Sequence, residues 1–306
     1  MNPDKHTNKE FFIDAGNGHQ LYVHDWGDPK GLPVIFLHGG PGAQVKDRHK
    51  ENFDPRLHRV AFFDQRGCGK SLPTGSLEHN TTQNLIEDIT KIADYLKWKR
   101  FVICGPSWGS FLALAYAIKN PKRVKALVLN SIFTGSRREL DWIEQGEFRT
   151  FFPEVWEKYL ARTPKVHHKN PTAYHYKNIL GKNNRAINGS ALAVAEMEYN
   201  IMALDDRPAE LDPVTFDPTS TRIFAHYASN NLFVPDRYIL GTAAKLKMPV
   251  WMVHGRFDIE CPPVTAYELD KKLPNSHLLW AISGHRSEHE NASLLRAILI
   301  QLAEKR

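Results

Sequence analysis

The chain has 306 residues, of which 42% are hydrophobic and 24% charged, enough for a soluble globular protein with a sizeable core. Its 40 Lys and Arg against 34 Asp and Glu leave a net charge of +6, but the densest basic spots, KWKR (97–100) and KVHHK (165–169), have no interleaved aromatics, so no nucleic-acid partner is expected. No window approaches the roughly 20 apolar residues of a membrane span, MNPDKHTNKE has no apolar signal segment behind it, and Cys68, Cys104 and Cys261 suit neither a disulfide framework nor a metal site. These features predict a cytoplasmic protein that contacts no membrane; oligomeric state stays open.

Along the chain, strands are predicted at QLYVHDW (20–26), PVIFLH (33–38), RVAFFD (59–64), FVICG (101–105) and VKALVLN (124–130), all short apolar runs rich in β-formers. TTQNLIEDITKIADYLK (81–97) carries Leu85, Ile89, Ile92 and Leu96 at helical spacing, one buried stripe. A second helix is predicted from near Ser107 to Pro121. Such alternation implies a mostly parallel central sheet with helices on both faces, an α/β fold. From about 134 to 240 the strand rhythm stops, and 141–160 and 190–204 look helical. Alternation resumes with a strand at PVWMVHG (249–255), a helix near 264–272, a strand at HLLWA (277–281) and a last helix around 290–304. The organisation read from this is a core in two parts, 1–133 and 241–306, interrupted by a helical cap at 134–240.

GPSWGS (105–110) places a serine between two glycines where a strand becomes a helix. It reads either as a strained turn presenting Ser107 as a nucleophile or as a glycine-rich loop that happens to hold a serine. The G-x-S-x-G spacing alone is weak; the strand–helix context favours the nucleophile. Such a serine needs a base and an orienting acid, in the chain order Ser, acid, His. Asp258 ends an apolar strand in VHGRFD (253–258), and His285 follows the next strand in SGH (283–285). An oxyanion would be held by the backbone N–H of Trp108 and by one from HGGPG (38–42), with Gly40 favoured. His38 reads as structural. DQRGCGKS (64–71) lacks phosphate-loop spacing, and its Asp64 and Arg66 read as loop braces.

Taken together, HGGPG (38–42), DQRGCGKS (64–71), GPSWGS (105–110), SIFTGSRRELDW (131–142), FPEVWEKYL (152–160), HGRFDIECP (254–262) and SGH (283–285) resemble the proline iminopeptidase (prolyl aminopeptidase) family of α/β-hydrolases. The matches lie in family order across nearly the whole chain. The resemblance implies an α/β-hydrolase fold with a helical cap, a triad of Ser107, Asp258 and His285, and removal of an N-terminal proline from peptides with no metal or other cofactor. It places Phe133 and Cys261 at the proline pocket. It also implies cap glutamates that read the substrate's free amine, and here the chain departs. A segment like W-S-x-W-E aligns with residues 194–198, keeping Glu198 but neither tryptophan. A segment like R-I-E-N-H-Y-F reads RIFAHYA (222–228), with Phe224 where the glutamate stands and Ala228 for the last aromatic. W-F-Y-Q has become WIEQ (142–145). Losing one carboxylate beside a buried ammonium would weaken amine binding by roughly a few kcal/mol unless another replaces it; Glu144 is one candidate, its alternative being a solvated helix face.

Three readings follow: an aminopeptidase acting on small peptides, an esterase or amidase of the same mechanism acting on small molecules without a free amine, and a non-catalytic ligand-binding protein on a hydrolase scaffold. The intact Ser, Asp and His argue against the third, and Phe224 and Ala228 support the second.

Overall fold

The apolar runs of the sequence become an eight-stranded sheet in a computed structural model that describes residues 6–202, 204, 210–286 and 290–305. The strands are β1 (Thr7–Gly16), β2 (His19–Gly27), β3 (Leu32–Phe36), β4 (His58–Phe63), β5 (Phe101–Ser107), β6 (Val124–Ile132), β7 (Val250–Gly255) and β8 (Ser276–Ala281), in the spatial order β1-β2-β4-β3-β5-β6-β7-β8. From β4 to β8 every pairing is parallel; β1 and β2 join antiparallel at one edge. The carboxyl ends of the parallel strands therefore share one rim, where ligands of open α/β sheets bind. All the candidate catalytic residues leave strands at that rim.

Parallel strands covered on both faces read as near-continuous apolar runs, and two hydrophobic clusters show why. On one face α1 (Thr82–Tyr95) and α2 (Trp108–Lys119) pack against Val23, Ile35, Ile103 and Leu127; on the other α10 (Glu290–Glu304) packs Leu295, Ile298 and Leu299 against Val34, Phe62, Val102 and Val128. In α1 the Thr81 side chain caps the helix by accepting the Asn84 N–H, and Leu85, Ile89 and Ile92 are buried, each contributing about 1.5–3 kcal/mol. Trp108 through Ala117 of α2 are all buried, because the segment between β6 and β7 closes over the side that faces away from the sheet. There Ile223, Tyr227 and Leu232 join the core cluster.

Among the described residues, that segment holds helices and no strand: α3 (Arg137–Glu144), α4 (Pro153–Ala161), α5 (Pro171–Ile179), α6 (Asn184–Ile201), α7 (Thr219–Ser229) and α8 (Tyr238–Thr242), with short 3-10 turns between some of them. The helical stretch expected over 141–160 is broken. Gly146 sits at φ 66°, where a Cβ would lie 2.5 Å from the Trp156 ring, and Pro153 restarts the chain as α4. The helix expected over 190–204 begins earlier, capped by the Asn183 side chain, and ends at Ile201; residue 203 lies outside the described residues. β1 has no counterpart in the sequence reading. It is an edge strand whose first part, Asn8, Lys9 and Glu10, is polar and exposed on both faces, so its apolar residues shrink to the short run at 11–13. No helix among the described residues is long and apolar enough to cross a membrane.

Candidate functional site

Ser107 ends β5 at φ 53°, ψ −123°, a conformation that costs an L-residue of order 1–3 kcal/mol and persists only where its surroundings enforce it. They do so through close approach. A Cβ on Gly105 would lie 2.8 Å from the Gly109 carbonyl oxygen, and one on Gly109 would strike the Leu37 carbonyl. Strand, turn and helix can meet this tightly only with both glycines. Ser110 Oγ donates to the Ser107 carbonyl at 2.7 Å and pins the first turn of α2. Of the two readings of GPSWGS, the geometry is that of the strained turn.

The loops after β7 and β8 bring Asp258 and His285 together. His285 Nδ1 lies 3.0 and 3.1 Å from the two Asp258 carboxylate oxygens, and the Cys261 N–H donates to Asp258 Oδ1 at 2.7 Å. The loops are tied to each other by Arg256 N–H to Ala281 O at 2.8 Å and Phe257 N–H to Ser283 O at 3.1 Å. Ser131 Oγ, near the end of β6, donates to the His285 carbonyl at 2.9 Å. Burial works against a charged imidazole, but the Asp258 charge and hydrogen bond, with a smaller contribution from Glu260, outweigh it and raise the His285 pKa above its usual value. His254, also buried, is structural: its Nδ1 accepts the Ile132 N–H, Nε2 meets the Cys261 carbonyl at 3.0 Å, and burial keeps it neutral by lowering its pKa.

The HGGPG loop stands against the turn. A Cβ on Gly39 would come within 3.7 Å of Ser107 Cβ, and Gly40, at φ 114°, leaves no room for a side chain beside the Gly42 and Ala43 amides. Behind it the Trp108 indole donates to Gln65 Oε1 at 2.8 Å, Gln65 Nε2 donates to the His38 carbonyl at 3.0 Å, and the Gln65 N–H donates to His38 Nε2 at 3.0 Å. His38 is thus structural, as expected, and burial lowers its pKa. Asp64 braces its loop by accepting the Val45 and Lys70 N–H groups. Arg66 is fully buried and forked onto Asp88.

In front of the serine opens a cleft of about 420 Å3. Gly40, Ser107, Phe133, Phe224, Glu144 and Cys261, all singled out in the sequence, line it. Burial pushes the Cys261 thiol far above its usual pKa. Glu144 is no solvated helix face: it is ion-paired with Arg137, and burial raises its pKa despite that partner. Glu198 does not line the cleft. It stands behind the lining, where its charge acts on Glu260, Tyr159 and Tyr176. Glu139, Tyr176 and Glu260 line the cleft without having been anticipated. Glu260 had a local signal, an acidic residue inside HGRFDIECP between Asp258 and Cys261, and so had Glu139, three residues after Ser136 in the spacing of a capping box.

Residues 33–287 match the family model described as the alpha/beta hydrolase fold. A proline iminopeptidase from Arabidopsis thaliana is 35% identical over 285 residues, 91% of this chain and 75% of its own length. One from Neisseria meningitidis serogroup B is 34% identical over 280 residues, 90% of each chain. The crystal structure of proline iminopeptidase from Mycobacterium smegmatis superposes with a TM-score of 0.63 at 21% identity, covering 97% of this chain and 98% of that one, a likeness of fold.

Proposed function

Because the chain belongs to the proline iminopeptidase family of α/β-hydrolases, we propose that it is an aminopeptidase releasing N-terminal proline, or a small apolar residue, from small peptides through a Ser107–His285–Asp258 triad. The observation that supports this reading best is the cleft, whose lining includes both the strained Ser107 and Glu260, an acidic residue with a buried oxygen that has no hydrogen-bond partner. Ser107 Oγ attacks the carbonyl carbon of the first residue while His285 Nε2 takes its proton. Asp258 holds the Nδ1–H tautomer that leaves Nε2 free to accept. The N–H groups of Trp108 and Gly40 receive the oxyanion. Collapse passes the proton from His285 to the leaving amine. Water then attacks the acyl-enzyme, His285 again carrying the proton, and the free amino acid departs.

Phe133 and Cys261, with Phe224 and Ile143, form the apolar part of the cleft that a pyrrolidine ring would fill, and Glu198 adds negative charge behind it for the substrate ammonium. The same apolar walls support the second reading, an esterase or amidase that needs no free amine. Three buried, unpaired cysteines are consistent with a reducing cytoplasm. The test is kcat/KM for L-proline p-nitroanilide and for its N-acetyl derivative. The aminopeptidase reading expects the free amine to be preferred by at least about tenfold; equal rates, or a preference for the acetylated compound, favour the second.

A further inference from the structure

Three carboxylates line the cleft, and two are already engaged. Glu139 accepts the Thr134 N–H at 3.0 Å, the Ser136 N–H at 2.9 Å, the Ser136 hydroxyl at 2.8 Å and the Thr134 hydroxyl at 2.5 Å. Glu144 is held by Arg137. Glu260 is different, because its Oε2 is buried with no hydrogen-bond partner. Behind it, Glu198 Oε1 is likewise buried and unpartnered. Two carboxyls near enough for the charge of one to act on the other cost folding free energy when no cation pairs with them, and among the described residues no guanidinium or ammonium does; of the cations only His285 acts on Glu260.

Resting on the aminopeptidase reading of the same cleft, we propose that Glu260 is the carboxylate that receives the substrate's N-terminal ammonium, with Glu198 behind it completing a two-carboxyl receptor. Chain geometry supports the placement. The α-nitrogen of a substrate lies two bonds from the attacked carbonyl carbon, about 2.5 Å away. Its receptor must therefore share the nucleophile's wall. Glu260 lies in the chain between the triad acid and Cys261, and Glu260, Cys261 and Ser107 line the same cleft. A carboxylate in the nucleophile's own cleft suits the ammonium of the first residue of a peptide, as an exopeptidase requires.

The pair also links binding to a proton. Burial, reinforced for Glu260 by the Glu198 charge, raises both carboxyls well above the ordinary carboxylate range, so near neutral pH the free pair retains a proton. The groups facing it do not compensate. Tyr159 and Tyr176 are neutral, with pKa values raised by burial; Glu144 is matched by Arg137; Asp258 is matched by His285. Arrival of an ammonium favours ionisation of both carboxyls, and the retained proton leaves to solvent.

The test compares kcat/KM for L-proline p-nitroanilide and for p-nitrophenyl acetate in the wild type, Glu198→Gln and Glu260→Gln; their ratio cancels any loss common to both substrates. The ratio should fall about 30-fold in Glu260→Gln, mainly through KM. Glu260→Ala provides the same ratio if the glutamine variant folds poorly. Calorimetry of L-prolinamide binding to the Ser107→Ala enzyme at pH 7, in buffers of different ionisation enthalpy, should show proton release that the added Glu260→Gln change abolishes. If the wild type prefers free amines, and Glu260→Gln leaves both the ratio and the proton release unchanged, the proposal is overturned while the aminopeptidase reading stands. If the wild type hydrolyses N-acetyl and free prolyl anilides equally, the aminopeptidase reading fails, and this proposal with it.

Discussion

Two regions bury charge beside the catalytic turn, and they treat it in opposite ways. Below the turn, Arg66 places Nε and Nη2 on Asp88 at 2.7 and 2.8 Å, Nη1 on the His79 carbonyl at 3.0 Å, and Nη2 also on the Ala15 carbonyl at 3.1 Å. Its charge is matched and its donors are used. Beside the turn, Glu198 and Glu260 each bury an unpartnered oxygen, and the charge of one acts on the other. A buried charge with its partners in place defines a structure. One without them stays reactive toward whatever cation arrives, so the difference separates bracing from recognition.

The largest effect expected belongs to neither region and calibrates both. Ser107→Ala should lower turnover of L-proline p-nitroanilide by about 10^4-fold or more. The thermal unfolding temperature should hardly move, since alanine bears the same positive-φ strain as serine. Substantial residual turnover would remove Ser107 as the nucleophile, and with it any catalytic meaning for the two charged regions beside it.

Next comes the matched region. Arg66→Met removes one partner and leaves Asp88 buried and alone, which should cost about 3–5 kcal/mol in denaturant unfolding. A loss below about 1 kcal/mol would mean that the fork contributes little, and that matched and unmatched charge differ less than their geometry suggests.

The matched half was the more legible half. The strands from β3 to β7 were readable because parallel strands buried on both faces are apolar throughout, and β2 and β8 because they too are short runs rich in β-formers. Ser107, Asp258 and His285 were readable because each closes or follows such a strand, in an order the turn chemistry demands. β1 was not, because its first part is polar on both faces. The break in 141–160 depends on the Trp156 ring packing over Gly146, a contact that spacing does not reveal. Glu260 was the hardest to see. Its acidity is local, but its lack of a partner depends on α6 bringing Glu198 to it across the fold. Glu144 was singled out in the sequence as a replacement carboxylate, but its guanidinium partner became evident only once α3 had formed.

A smaller effect connects the acidic pair to the catalytic histidine. His285 must be neutral to accept the Ser107 proton, so activity should rise with pH. Its raised pKa places that rise above the ordinary histidine value of about 6.5. Once ionised, the Glu260 carboxyl helps to hold the imidazolium, so Glu260→Gln should leave the start of the rise in place and move only its upper part, where Glu260 ionises, toward lower pH, by roughly a few tenths of a unit at most. A pH profile of kcat/KM on p-nitrophenyl acetate, which carries no amine, isolates the shift. A displacement toward higher pH would contradict the placement of Glu260 beside the triad.

The smallest effect is on stability, and its sign distinguishes the two regions most sharply. Glu198 and Glu260 have folded-state pKa values raised to about 8, against about 4.3 in an unfolded chain. Between these values the folded protein binds more protons than the unfolded one. Stability therefore falls as pH rises through that window and levels off above it. Glutamine mimics the protonated carboxyl at every pH. Near pH 4.5, where the folded carboxyls are protonated and the unfolded ones only about half ionised, Glu198→Gln and Glu260→Gln should melt within about 1 °C of the wild type. At pH 8.5 they should melt higher by roughly 2–4 °C or more, because they no longer confine an ionised pair. Arg66→Met should melt lower than the wild type at both pH values. Melting curves of the three variants at the two pH values are sufficient. If the glutamine variants melt lower than the wild type at pH 8.5, then the carboxyls gain stability from being charged, and the unmatched pair is in truth a brace like Arg66 and Asp88.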